Sequence, residues 1–171
     1  VKKVLVVGKQ NAGKTTFVRN ISESTFAGTD VPVLDLKELK ETGETTTVGV
    51  EVNFYKDIAF YGLPGQRRFS FLWETFAKSF DGIVFLHPSF SPPEEIDYIY
   101  SFFSKFPSFQ KSYKMLIFTY PEKMDYAVVN RIISVYDLPY TYLNPNDRSK
   151  LLKVLEVIEN NLMDREDVVA L

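Results

Sequence analysis

Short apolar runs rich in β-branched residues alternate along this chain with longer stretches in which apolar side chains recur every three or four positions. Lys3-Val4-Leu5-Val6-Val7 is the first run, and Thr15-Thr16-Phe17-Val18-Arg19-Asn20-Ile21 the first helical stretch. Thr47-Val48-Gly49-Val50-Glu51-Val52-Asn53-Phe54-Tyr55 alternates with period 2, and Asp57-Ile58-Ala59-Phe60-Tyr61 follows after almost no loop. Two strands so close form a hairpin, so this side of the sheet is antiparallel. Ile83-Val84-Phe85-Leu86-His87 and Lys114-Met115-Leu116-Ile117-Phe118-Thr119 read as buried strands, and Tyr140-Thr141-Tyr142-Leu143 as a last short one. Helices are predicted over about Phe69 to Phe80, Glu94 to Phe106 behind Pro92 and Pro93, Ala127 to Tyr136, and Asp147 to Met163. The last of these carries Leu151, Leu152, Leu155, Ile158 and Leu162 on one face.

Six strands alternating with helices predict a three-layer α/β/α domain spanning 1–171, its sheet mostly parallel with one antiparallel edge strand. Such sheets bind ligands at the carboxyl ends of their strands, so the loops beginning at Gly8, Gly62, Thr119 and Asn144 should meet at one rim. Thr25 to Glu44, with Gly28, Pro32, Gly43 and many charges, reads as a long connection with a brief apolar stretch at Val31 to Leu36. With 45% hydrophobic and 25% charged residues, the composition is that of a soluble globular protein. A net charge of -2 gives no overall pull toward nucleic acid or an anionic membrane. The absence of cysteine excludes disulfides, thiolate metal sites and lipidated cysteine anchors, and fits a cytoplasmic protein. No apolar run has the length of a membrane span, and the first residues read as a core strand.

Candidate chemistry begins between the first strand and the first helix. Gly8-Lys9-Gln10-Asn11-Ala12-Gly13-Lys14-Thr15-Thr16 fits G-x-x-x-x-G-K-[ST], with Gly8, Gly13, Lys14 and Thr15 at the fixed positions. Glycines let backbone N–H groups turn inward around a di- or triphosphate, the lysine neutralises the outer phosphates, and the hydroxyl reaches Mg²⁺. Thr47, with Thr45 and Thr46 as rival positions, is placed to add a second hydroxyl to Mg²⁺ and an N–H to a γ-phosphate. Gly65 can offer its N–H to the same phosphate, and the carboxamide of Gln66 can orient an attacking water. Arg67 and Arg68 beside it are either a cationic finger in cis or solvated charge. The aromatic run Phe69, Phe71, Trp73 and Phe76 divides between core and a partner surface, and His87, the one histidine, reads as structural.

These motifs, in this strand order, resemble the Ras-like small GTPases over nearly the whole chain. Within them, Gly62-Leu63-Pro64-Gly65-Gln66-Arg67-Arg68-Phe69 resembles the prokaryotic branch, the MglA-type polarity GTPases and related archaeal and actinobacterial proteins. The resemblance implies a sheet ordered 2-3-1-4-5-6, GTP and GDP as ligands, Mg²⁺ held with Thr15 and Thr47, slow hydrolysis with Lys14 and Gln66, and effector reading by two switch loops. It also implies a protein partner at residues 45–80, of the roadblock fold for MglA-type proteins, with no nucleic acid and no membrane anchor of its own.

Two departures follow. Small GTPases mostly carry Asp-x-x-Gly where this chain has Gly62-Leu63-Pro64-Gly65, and the Asp holds a water on Mg²⁺; MglA-type proteins also lack it. Guanine is usually selected by Asn-Lys-x-Asp, whereas Thr119-Tyr120-Pro121-Glu122 stands here, with Glu122 as acceptor and Tyr120 as a stacking ring. A shifted alternative, Glu122-Lys123-Met124-Asp125, starts three residues later. Asn144-Pro145-Asn146 resembles the Ser-Ala-Lys loop that closes over the base. The rival readings are a non-hydrolysing nucleotide-binding interaction module with relaxed base specificity, and a P-loop kinase, for which no basic lid is present.

Overall fold

The computed structural model describes residues 1–21, 33–35 and 49–170, with side chains described up to Met163 except in 33–35. Seven strands form one sheet in the order β2-β3-β4-β1-β5-β6-β7. They are β1 (Lys2–Val7), β2 (Val33–Asp35), β3 (Gly49–Tyr55), β4 (Ile58–Gly62), β5 (Gly82–Pro88), β6 (Tyr113–Thr119) and β7 (Tyr140–Tyr142). The helices are α1 (Lys14–Ile21), α2 (Ser70–Ala77), α3 (Glu94–Phe103), α4 (Pro107–Lys111), α5 (Tyr126–Tyr136) and α6 (Arg148–Ala170). The six strands read from the sequence thus occur in the order 2-3-1-4-5-6, with only β3 running against the rest. A further short strand, β2, pairs antiparallel with β3 and covers what the sequence placed at the edge. It falls inside the Thr25 to Glu44 connection, whose other residues lie outside the described ones, as does Thr47.

Period-2 patterning places the core on both faces. Along β1, Val4 and Val6 join Phe17, Val18, Phe60, Val84, Ile117, Leu155 and Ile158 beneath α1 and α6. Leu5 and Val7 point the other way, into Trp73, Phe85, Ile99, Phe103, Phe118 and Ile132 beneath α2, α3 and α5. All seven residues of β5 are buried, as a central strand covered on both faces requires.

The helix expected over Glu94 to Phe106 stops at Phe103. Pro107 opens α4, and the residue before it, Phe106, is driven extended at φ -90° and ψ 141°. The aromatic segment also divides, into a 3-10 turn at Arg67–Phe69 and then α2. Most of that segment is core. Phe69 and Trp73 are buried, and Phe76, half-buried, packs on Tyr61 at 5.5 Å between ring centroids.

Candidate functional site

The backbone leaving β1 passes so close over β5 that a Cβ at Gly8 would stand 2.2 Å from the Leu86 carbonyl oxygen. Only glycine fits there. The loop then turns through Asn11 at φ 66° and Gly13 at φ 99°, with the Ala12 N–H on the Lys9 carbonyl at 3.2 Å, and α1 begins as Phe17 N–H donates to Gly13 O. Lys14 Nζ folds back under the loop and donates to the carbonyls of Gly8 and Lys9, both at 2.7 Å. Burial of part of the side chain pushes this ammonium down to about 8, because protein replaces part of its hydration shell. Thr15 is exposed at the head of α1 and Thr16 half-buried. A cation, hydroxyls and the positive end of a helix therefore converge on one point, which is the chemistry of an anion site.

The loop after β4 closes over this point. Leu63 N–H donates to Val6 O at 3.1 Å, and the Trp73 indole N–H holds Pro64 O at 2.8 Å. Gly65 then lies directly on the first loop: a Cβ on it would come within 2.5 Å of Gln10 N and Gly8 O. Gln66 is held at both ends of its carboxamide, donating to Gln10 Oε1 at 3.0 Å and accepting from Arg68 Nε at 2.7 Å. The two arginines separate clearly. Arg67 turns toward α3, with its guanidinium 3.1 Å from Glu95 and stacked 4.0 Å over Tyr98, while Arg68 lines the cavity that contains Gln66.

That cavity, of about 620 Å³, runs from Gln10 and Asn11 past Lys14 to Gly62 and Phe69. A second, of about 230 Å³, shares Gly13, Thr16 and Tyr120 with it and is completed by Thr119, Glu122, Asn144, Pro145 and Asn146. The sequence-predicted rim is thereby assembled from the ends of β1, β4, β6 and β7. Thr119, buried, spends its hydroxyl on Ala12 O at 2.8 Å and so ties β6 to the first loop. Tyr120 stands between the cavities at φ 53°, its hydroxyl 3.4 Å from Asn11 O and its ring edge-on to Phe90. Asn20 Nδ2 donates to Pro145 O at 2.8 Å, joining α1 to the loop after β7.

The two alignments of the β6 loop are separated by one carboxylate. Asp125 accepts from the N–H groups of Ala127 and Val128 as the cap of α5, whereas Glu122 lines the second cavity. Sequence reasoning missed Gln10 and Glu51, both of which line the larger cavity. Gln10 carried no signal, since the motif leaves its position free; Glu51 was hidden among the alternating residues of a strand. His87 is buried with its Nε2 2.8 Å from Ser91 O, a structural role. Among the described residues no three His, Cys, Asp or Glu side chains cluster as a metal site, and no helix is long and apolar enough to cross a membrane.

No protein-family model matches the chain. ADP-ribosylation factor-like protein 8c of Arabidopsis thaliana is 30% identical over 81 residues, which are 47% of this chain and only 39% of that relative. Among solved structures, the Arl6 BBS3 small GTPase of Trypanosoma brucei, with the bound nucleotide analogue GppNp, superposes with a TM-score of 0.65 at 16% identity, covering 96% of this chain and 98% of that one. The bacterial selenocysteine-specific elongation factor EF-Sec gives 0.66 at 17% identity, over 96% of this chain and 29% of that one. The G domain of the T. maritima FeoB iron transporter gives 0.60 at 16%, over 96% and 98%. The fold is that of the P-loop GTPases.

Proposed function

We propose that this chain is a guanine-nucleotide switch that hydrolyses GTP slowly. The observation that carries the reading is the direct packing of Gly65 and Gln66 on the loop that buries Lys14. A phosphate received by Lys14 and the loop N–H groups meets the Gly65 segment at once, so the presence or absence of a γ-phosphate is felt by the residues leading to α2. Lys14 neutralises the transferred charge, and Gln66, released from Gln10, positions water for attack on the γ-phosphate. Bound Mg²⁺ would neutralise charge on the β- and γ-phosphates. Hard oxygen donors suit it, and the Thr15 hydroxyl and the Glu51 carboxylate both line the cavity. Thr47 is proposed as the further hydroxyl.

Base selection is assigned to the second cavity, where Glu122 accepts from the guanine N–H groups and Tyr120 covers one face, with Asn144 and Pro145 closing the loop. Within the small GTPases, the Gly62 to Phe69 run supports the prokaryotic MglA-type branch and, with it, a roadblock-fold or other effector at residues 45–80. Gln66→Ala tests the reaction: single-turnover GTP hydrolysis should fall at least tenfold. An unchanged rate removes Gln66 from its role.

A second reading, a nucleotide-binding interaction module without hydrolysis, is favoured by the two hydrogen bonds that hold Gln66 to Gln10 and Arg68. Mass spectrometry of the nucleotide released on denaturation, after long incubation with GTP, separates the two: GDP supports the switch, intact GTP the module.

A further inference from the structure

The strand that ends at Gly62 brings no carboxylate to the cavity, yet the cavity contains one. Glu51 of β3 is paired in register with Gly62 of β4. The Cβ that Gly62 lacks would lie 3.8 Å from the Glu51 Cβ, so the two side chains start from neighbouring points on the same face of the sheet. A side chain at Gly62 itself is opposed by Val18 Cγ2 at 3.0 Å. Glu51 is the one carboxylate lining the larger cavity among the described residues, in company with Thr15, Thr16 and Lys14. Its side chain is 17% exposed. Its Oε2 is buried and accepts no hydrogen bond from the described residues, with the Arg19 Nε misaligned for one at 3.4 Å. A buried carboxylate oxygen so poorly served is costly unless something else occupies it.

We propose that Glu51 supplies from the adjacent strand the carboxylate missing at Gly62 and holds the hydration shell of a divalent cation at the head of α1. The inference rests on the nucleotide-switch reading, since phosphate oxygens complete the cation's shell. The chemistry matches the position. Mg²⁺ keeps several waters and is typically held by one or two carboxylates together with substrate phosphates, and a carboxylate that acts through those waters need not occupy the position of a Gly62 side chain itself. Arg19, 61% exposed on α1, is the resting partner that the cation displaces.

The test is the rate of GDP release from the full chain, followed with a fluorescent GDP across a series of buffered free Mg²⁺ concentrations. Wild type, Glu51→Gln and Arg19→Ala are compared. Glu51→Gln should raise the half-effective Mg²⁺ concentration about tenfold and leave the release rate in EDTA unchanged, the usual scale for losing a group that orients a metal's ligands. Arg19→Ala should lower that concentration, because the cation no longer has to displace an ion-pair partner from Glu51. A Glu51→Gln curve that coincides with wild type overturns the assignment and leaves the nucleotide reading intact. So does an Arg19→Ala curve shifted as far as the Glu51→Gln one, which would make the carboxylate a mere ion-pair partner. If Glu51→Gln does not fold, Arg19→Ala decides alone by the direction of its shift. Failure of wild type to bind GDP, or release that ignores Mg²⁺, overturns the switch reading and this inference together.

Discussion

Lys14 is the residue at which burial and charge are most sharply opposed. Its ammonium is pushed down to about 8 in the free chain because protein replaces part of its hydration shell. A bound diphosphate stabilises the charged form and raises that value, so binding takes up a proton wherever free Lys14 is neutral. On the switch reading, GDP affinity should therefore be full below about pH 8 and fall as pH rises past it, by up to tenfold per unit. Equilibrium titration of Lys14→Arg, whose charge persists through this range, should show no such fall. Gly8 and Gly65 set the other constraint at this scale, since a methyl at either would meet backbone at 2.2 to 2.5 Å. Alanine at each should destabilise the chain by ~1–3 kcal/mol in denaturant unfolding, with Gly8 the worse because its obstacle is a carbonyl in the central strand.

At the scale of elements, α2 is tied to the site through one side chain. Trp73 is buried against Tyr98, Phe102 and Phe103, and its indole N–H holds Pro64 O two residues before Gln66. It is also the one tryptophan of the chain. Its emission should change when GDP is replaced by a non-hydrolysable GTP analogue, because the loop it anchors must move off the phosphate site. Trp73→Ala should cost ~3–5 kcal/mol of stability, measured by denaturant unfolding, by removing the largest side chain of this face. Trp73→Phe keeps most of the packing and loses the tie, so its effect should be greater on nucleotide response than on stability.

For the whole molecule, side-chain bonds at the carboxyl rim of the sheet join the loops that line the two cavities. Thr119 and Asn20 fasten the loops after β6 and β7 to α1 and its preceding loop. Nucleotide should therefore stabilise the entire fold: the melting temperature of stripped protein should rise with GDP concentration as mass action requires. His87 gives a global signature with pH. Burial lowers its pKa, outweighing the Ser91 carbonyl, with Lys9 lowering it further and Asp97 and Glu94 opposing. The unfolded chain thus takes up the proton first, so His87's contribution is complete above about pH 6.5 and is lost as pH falls below it. His87→Gln should flatten that part of the stability profile in pH-dependent denaturant titrations.

What the sequence determined by itself was local or periodic. The alternation of β1, the buried run of β5 and the spacing of Gly8, Gly13 and Lys14 each express a rule acting over a few residues, whereas the strand order came only as an implication of the resemblance to the small GTPases. The sequence favoured Glu122 over Asp125 only through the length of helix left before Pro139; in the structure Asp125 caps α5 and Glu122 lines the second cavity. Arg67 and Arg68 were equal neighbours until α3 presented Glu95 and Tyr98 to one of them. Glu51 and Gly62 are eleven positions apart in the chain and become partners only through the register of β3 on β4. That register is set locally by the two-residue turn Lys56-Asp57 of the hairpin, whereas the convergence of the pair with Lys14 and Thr15 on one cavity required the packing of β1 and α1 against β4, which no local rule expresses.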